Sequence, residues 1–376
     1  MADIIHSVAF TLVHEPGSAG EEAFLADGRR ILTGIPGVRD FQVLRQVSGK
    51  NPYRFGFTMR FASNAAYEAY NAHPAHVAFV RDRWQKEVAA FLENDSLELP
   101  AGGGSAGHAP DQLLAQMRNH QPQAGHLGFW WFGQMGFGIK LAGRLIFLDA
   151  FLSPHPGRNI PPAVDVHAAQ SADIIFGTHD HIDHIDRDAW RHIARASSAT
   201  RFVVPLVHRA GVAADLGVPE DRVIGVDEER PATVDGITIR AVASAHEFLD
   251  TDPSTGLHPH LGFVLEADGL RLYHAGDCCM YEGLQAKLRA LGPLDAMFVP
   301  INGRDGVRYR RHLIGNMTAQ EAVDLVGAIR PRLAIPGHYE MFDGNRGDPG
   351  LFADYLDAKY PGLACWVGPH FVRVDL

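Results

Sequence analysis

The chain has 376 residues, and its 34 Lys and Arg against 44 Asp and Glu leave a net charge of −10. That balance offers phosphate backbones and anionic lipid no general attraction, so nucleic acid is not an expected partner. No apolar run approaches the ~20 residues that a membrane-spanning helix needs, and 46% hydrophobic with 21% charged residues is the profile of a globular protein long enough for two or three domains.

In chain order, Ile4 to Leu12 alternates apolar and polar residues as a half-buried strand does, and Ser18-Ala-Gly-Glu21 is a capping box opening a helix towards Ile35. Strand patterns follow at Val38 to Val47 and Tyr53 to Phe61, then helical patterns at Ser63 to Ala72 and Pro74 to Leu92. The order predicts a ferredoxin-like split unit. Leu99-Pro-Ala-Gly-Gly-Gly-Ser-Ala-Gly-His-Ala-Pro110 is too flexible and too poor in apolar residues to pack, which sets a first domain at 1–98, a linker at 99–112 and a second domain at 113–376.

His6, Pro36-Gly-Val38, Phe55-Gly-Phe57 and Tyr70-Asn-Ala-His-Pro-Ala-His76 resemble the Dabb, or stress-responsive α/β-barrel, family over residues 3–98. The resemblance implies a homodimer or higher homo-oligomer whose sheets pair into one barrel. It also implies that Tyr70 and His76 occupy the positions some members use to cyclise polyketide-like substrates; the alternative is that they pack the helix end and the dimer seam.

Beyond the linker, Gly128 to Lys140 is apolar with interspersed glycines and Arg144 to Asp149 is a buried-strand pattern ending in a carboxylate. Further short strands are expected at Asp173 to Gly177, Ile237 to Ser244, Leu261 to Glu266, Leu270 to Ala275 and Ala296 to Pro300. A second capping box, Thr318-Ala-Gln-Glu321, begins a helix reaching Arg330, and Asp348-Pro349 combines a cap with a first-turn proline. This part is mixed α and β.

The chain holds 21 histidines, and Thr178-His-Asp-His-Ile-Asp-His-Ile-Asp186 places three of them with Asp183 inside six residues, directly after a strand. An extended His179-x-His181 pair puts both rings on one side, and Asp183 and His184 reach past them if the chain turns. One loop can thus feed two adjacent metal positions, and imidazole with carboxylate suits Zn²⁺, Mn²⁺ or Fe²⁺. Ser244-Ala-His246, His274-Ala-Gly-Asp277 and Ile335-Pro-Gly-His338 add candidates at strand ends, whereas His258 and His260 lack matching partners and are read as structural. Cys278, Cys279 and Cys365 cannot all pair, and Met1-Ala2-Asp3 lacks the basic flank of a secretion signal, so a reduced, cytoplasmic protein is expected.

The order His-x-His-x-Asp-His, His, Asp, His resembles the metallo-β-lactamase-fold hydrolases across residues 125–370. The resemblance implies an αββα sandwich, making the whole chain α+β. It also implies that His179, His181 and His246 hold one metal, that Asp183, His184 and His338 hold a second, that Asp277 bridges them, and that Asp149 supports the ligand loop by hydrogen bonding. Trp131-Phe-Gly-Gln134, Pro300 to Arg304, Ile314 to Thr318 and Pro336 to Asn345 resemble the L-ascorbate-6-phosphate lactonase branch.

The basic run Arg304, Arg308, Arg310 and Arg311, beside Asn302 and Asn316, then suggests a grip on a phosphate or carboxylate, with Arg304 foremost. The expected activity is hydrolysis of a small anionic ester, a sugar-derived lactone or its phosphate, by a metal-bound hydroxide that Asp183 orients, with Tyr339 and bound water as equal candidate proton donors. One or two ions are implied, Mn²⁺ or Zn²⁺, with Fe²⁺ also admitted. Two alternatives come from other classes: an iron-dependent oxidoreductase on the same fold, and cyclase or ligand-binding activity of the first domain.

Overall fold

The computed structural model describes residues 4–47, 52–62, 64–97, 110–167 and 172–376, and the chain divides into two compact units, Met1–Ala106 and Gly107–Leu376. In the first, β1 (Ile4–Leu12), α1 (Ala19–Leu32), β2 (Arg39–Arg45), β3 (Phe55–Phe61), α2 (Asn64–Asn71), α3 (Pro74–Phe79), a π-helical turn at Val80–Trp84, α4 (Gln85–Glu87) and β4 (Val88–Leu97) form a four-stranded sheet in the order β2-β3-β1-β4. The alternation read in β1 and β3 puts Phe10, Leu12, Phe55, Phe57 and Phe61 on one buried face, where Phe24 and Phe79 from the helices close over them. Ser18 caps α1 by accepting from the Glu21 amide, while the Glu21 carboxylate reaches back to Gly17, one residue earlier than a standard capping box.

One expectation fails here. The helix read from Pro74 to Leu92 stops at Glu87, and Val88 to Leu97 runs antiparallel to β1. Ala89, Ala90 and Leu92 favour a helix locally. With β3 on one side only, however, β1 would carry an unpaired edge of N–H and C=O groups, and satisfying that row outweighs propensities worth tenths of a kcal/mol.

The linker expected at 99–112 lies outside the described residues as far as 109, and Pro110 already opens α5 (Pro110–Asn119). The second unit continues with β5 (Gly128–Gly133), β6 (Gly136–Leu141), β7 (Arg144–Leu148), β8 (Ile174–Phe176), α6 (Arg187–Ala196), β9 (Arg201–Pro205), α7 (Arg209–Leu216) and β10 (Val223–Val226). Then come β11 (Ala232–Val234), β12 (Ile237–Ala243), β13 (Leu261–Ala267), β14 (Leu270–His274), α8 (Leu284–Ala290), β15 (Ala296–Pro300), α9 (Gly306–Arg310), α10 (Ala319–Ile329), β16 (Leu333–Gly337), α11 (Pro349–Lys359) and β17 (Val374–Asp375). They build two sheets, ordered β10-β9-β8-β7-β6-β5-β17 and β11-β12-β13-β14-β15-β16.

Both sheets begin as antiparallel meanders and end with parallel strands. In β5 every residue is buried, because successive side chains serve different layers. Phe129 and Trp131 enter the core shared with the second sheet, and Trp130 and Phe132 meet α5, α6 and α7 on the other face. Leu284, Leu288, Val323, Val326, Phe352 and Leu356 bring α8, α10 and α11 into the same core as the second sheet. A sandwich flanked by helices results, with the carboxyl ends of β7, β8, β12, β14 and β16 delivering loops to one rim. Thr318 and Glu321 make both halves of the capping box expected for α10.

Asp186 ties the His-rich loop to this frame. Its buried carboxylate accepts from Leu152 N at 2.8 Å, Ser153 N at 2.7 Å, Ser153 Oγ at 2.6 Å and, as the cap of α6, Ala189 N at 3.0 Å. Replacing it with Ala strands buried amides as well as removing a cap. Asp186→Ala is therefore expected to lower the unfolding free energy by about 3 kcal/mol or more in urea titration, with Asp186→Asn milder.

Candidate metal centre

The loop after β8 is wound tightly: His181 N donates to His179 O at 3.0 Å, His184 N to His181 O at 3.1 Å and Ile185 N to His181 O at 2.8 Å. Only glycine fits at 177, since a Cβ there would lie 2.4 Å from Ile185 Cγ1 and 3.0 Å from the His184 carbonyl oxygen. Gly276, at φ 60°, lets the loop after β14 close against it, because a Cβ would fall 2.7 Å from Thr178 Oγ1.

These turns bring together every residue of the expected ligand set. His179, His181 and His246 present ligand atoms within 4.8 Å of one another; so do His179, His184 and Asp277, and so do Asp183, His184 and His338. Asp277 lies centrally, 3.1 Å from His338 Nε2 and 3.4 Å from His184 Nε2 through one oxygen, and 3.9 Å from His246 Nε2 through the other. Asp183 Oδ2 is 3.6 Å from His184 Nε2. The remaining face of His184 is held by Asp149, whose Oδ2 sits 2.6 Å from Nδ1; Asp149 also accepts from Thr178 N at 2.8 Å and Thr178 Oγ1 at 2.7 Å. Asp149 thus touches the ring behind the cluster and leaves Nε2 facing it.

Burial opposes charge on both His184 and Asp277, yet they sustain each other. Asp149, Asp277 and Asp183 raise His184 to about 10 despite desolvation. Asp277 is held well below the usual carboxylate range by His338 and His184, against desolvation. His338 is raised by Asp277 and Asp183, while burial pushes His179 down and His246 to about 4. The centre therefore calls for positive charge among buried carboxylates. His184 Nε2, His246 Nδ1, His338 Nδ1, Asp277 Oδ1 and Gln134 Oε1 are buried without hydrogen-bond partners. Of these, His184 Nε2 and Asp277 Oδ1 face each other at 3.4 Å inside the clustered His and Asp side chains. A donor set of nitrogen and oxygen only, with buried members short of partners, is what a divalent cation of the Zn²⁺, Mn²⁺ or Fe²⁺ kind would satisfy, so the residues fit the group.

Two residues join this site that sequence reasoning set aside or passed over. Gln134, at φ 51°, sends Nε2 to within 3.3 Å of both Asp183 Oδ2 and His338 Nε2. Its only sequence signal was its place in Trp131-Phe-Gly-Gln134. The His260 ring lies 5.4 Å from both His179 and His246, with Nδ1 buried and unpartnered. His258, by contrast, pairs with Asp227 at 2.9 Å.

The expected substrate grip takes a different form. Arg304 makes a two-pronged ion pair with Glu321 at 2.7 and 2.6 Å and donates to Asn316 O at 3.0 Å. Arg308 donates to the backbone carbonyls of Asn302 and Arg346. Asn302 and Asn316 bond each other at 3.1 Å, and Asn302 bonds Asn345 at 2.8 Å. These groups brace the loop after β15 rather than offering free donors. Tyr339 is also committed: its ring belongs to the hydrophobic core, 4.9 Å from that of Trp131, and burial holds its proton far more tightly than in water. A proton donor needs the opposite.

In the first unit, Tyr70 is buried with its ring 4.3 Å from His76 and 6.0 Å from His6. Burial raises Tyr70 and lowers His76. His6, Glu93 and Asp95 also bring possible ligand atoms together. Asp95 is already engaged by His6 Nδ1 at 2.5 Å and by the Tyr67 hydroxyl at 2.6 Å, so that group is internally satisfied.

Comparison with known proteins agrees with this geometry. Residues 144–339 match the family described as "Beta-lactamase superfamily domain", and residues 4–96 match "Stress responsive A/B Barrel Domain". The chain is 30% identical over 227 residues, 60% of its length and 91% of the relative's, to a protein of Thermococcus onnurineus named UPF0173 metal-dependent hydrolase. Among solved structures, Igni18, a metallo hydrolase from Ignicoccus hospitalis, is 23% identical with a TM-score of 0.52, covering 67% of this chain and 98% of that one. A Dabb family protein from Mesorhizobium loti with a ferredoxin-like fold is 54% identical over 26% of this chain and 99% of its own, at a TM-score of 0.26. With its ligand-type loops on one rim of a double sheet and a matching model over more than half its length, the chain belongs to the beta-lactamase superfamily, among the UPF0173 metal-dependent hydrolases, and carries a Dabb domain ahead of it.

Proposed function

We propose that the second unit is a metal-dependent hydrolase of small esters and lactones. His179, His181 and His246 would hold one divalent ion and Asp183, His184 and His338 a second, with Asp277 shared between them. The observation that carries this reading is the clustering of seven His and Asp side chains, five of them buried, around Asp277. A divalent ion bound there supplies a Lewis acid and lowers the pKa of water to near ~7.

The chain's own residues do the rest. Asp149 fixes the ring plane of His184 from behind, and Gln134 steadies Asp183 and His338 through its amide. His181 is exposed and Asp183 half-buried, so solvent and substrate reach the centre on that side. With Tyr339 committed to the core, the leaving alkoxide takes its proton from solvent there. The oxidoreductase alternative has no feature in its favour beyond the shared donor set.

The first unit we read as an oligomerisation module, supported by the exposed Phe91 and Leu92 on the edge strand β4. Phe91→Glu should then lower the sedimentation coefficient while leaving bound metal unchanged; an unaltered coefficient speaks against this role for β4.

Because the His181 side chain is exposed, His181→Ala should fold normally. It should cut ester turnover by at least about 100-fold and lower the metal content measured by elemental analysis. Turnover at the unsubstituted rate would overturn the assignment. Arg304→Ala, which breaks a half-exposed ion pair, should cost about 1 kcal/mol or less in stability and leave KM for a phosphorylated lactone within about twofold. A large rise in KM confined to anionic substrates would restore Arg304 to the substrate site.

A further inference from the structure

We infer that the mouth of the metal centre selects esters and lactones bearing an apolar acyl or aryl group, a substrate class that rests on the hydrolytic reading above. Among the donors, His179, His184, His246, Asp277 and His338 are buried, and only His181 and Asp183 meet solvent. The approach therefore runs past the His181–Asp183 turn, and the residue between them, Ile182, is 62% exposed.

The chain beyond another donor repeats the pattern. After His246, Glu247 adopts φ 76°, a left-handed conformation unfavourable for a residue with a Cβ, and an isolated antiparallel bridge joins His246 to Phe248. That strained, bridged turn fixes Phe248 two residues from a donor, where it is 64% exposed and its neighbour Leu249 43% exposed. Leaving three large apolar side chains in water beside a buried polar centre marks a contact surface.

Charge points the same way. The residues flanking Phe248 and Leu249 are the acids Glu247 and Asp250, Asp180 is paired with Arg187, Arg304 is paired with Glu321 in the first turn of α10, and Arg308 is taken by the backbone carbonyls of Asn302 and Arg346. An anionic substituent would meet acidic groups, whereas a neutral apolar one would cover Ile182, Phe248 and Leu249 as the scissile carbonyl reaches the donors.

The test uses the full-length chain loaded with Zn²⁺ or Mn²⁺. We compare kcat/KM for p-nitrophenyl octanoate and acetate, and calorimetric affinities for octanohydroxamate and acetohydroxamate, in the parent and in Phe248→Ser and Ile182→Ser. Burying one methylene is worth about fourfold, so the parent should favour the octanoyl member of each pair by at least about tenfold, and each variant should shrink that ratio with metal content unchanged. A parent ratio near one, or a ratio unmoved in both variants, overturns the inference and leaves the hydrolase standing. So does a change of sedimentation coefficient in Phe248→Ser without a change of ratio, which would make the patch a protein interface. If no ester is turned over but the hydroxamate ratio is large and falls in the variants, the hydrolytic reading fails and the apolar mouth stands.

Discussion

Asp149 and Asp277 are both buried between protein layers, within reach of rings that are themselves buried, and their charge must be answered locally because water is absent. Against their own desolvation, the neighbouring carboxylates raise His184 and His338, while burial pushes His179 and His246 down. The arrangement leaves orphaned nitrogen and oxygen atoms. A divalent cation removes the conflict: it supplies the positive charge and takes up the unpartnered lone pairs, and the imidazoles that bind it must then be neutral. The tight loop over Gly177, the Asp186 anchor and the approach of Gly276 to Thr178 can be understood as what holds the donors close against their mutual desolvation cost.

Among the described residues, four of the eleven non-glycine residues with positive φ lie at the same place. Gln134, Asp149, Glu247 and His338 all have positive φ, at 51°, 43°, 76° and 62°. Gln134, Asp149 and His338 each follow a strand and turn a side chain to the centre, and Glu247 follows the donor His246. Such conformations persist only where surrounding structure over-determines them. Here the neighbouring strands do so: His338 N is fixed by Gln134 O at 2.9 Å, and Asp149 N by Phe176 O at 3.0 Å. The double sheet thus anchors at least His338 and Asp149 in their unfavourable conformations.

Legibility in the sequence followed from how locally each feature is determined. The clustering of His and Asp residues was readable because these types are rare together inside six residues and His246, Asp277 and His338 each follow a short apolar strand; the sandwich strands were readable because they are apolar runs stopped by polar or glycine residues. β4 was not, since Ala89, Ala90 and Leu92 favour a helix and only the open edge of β1 makes them a strand. Gln134 and His260 were not, because a single amide or imidazole carries no spacing signal and reaches the site only through folding of distant loops. The partner of Arg304 was hidden for a related reason: a basic run shows charge but not what answers it, and Glu321, seventeen positions on, was visible only as half of a capping box.

That last point bears on what the centre accepts. Glu321 serves three groups at once, the Thr318 amide at 2.9 Å, the Thr318 hydroxyl at 3.1 Å and the Arg304 guanidinium. The first two fix its carboxylate independently of Arg304, so the ion pair forms with one partner already immobilised and costs less side-chain entropy than a pair of free residues. An incoming anion would have to compete with a preorganised, two-pronged carboxylate for the same guanidinium, and could win only by leaving Glu321 short of a partner. The energetics therefore favour Arg304 as a brace between the loop after β15 and the start of α10. Recognition of substrate is left to the side of the centre where Ile182 and Phe248 stand exposed.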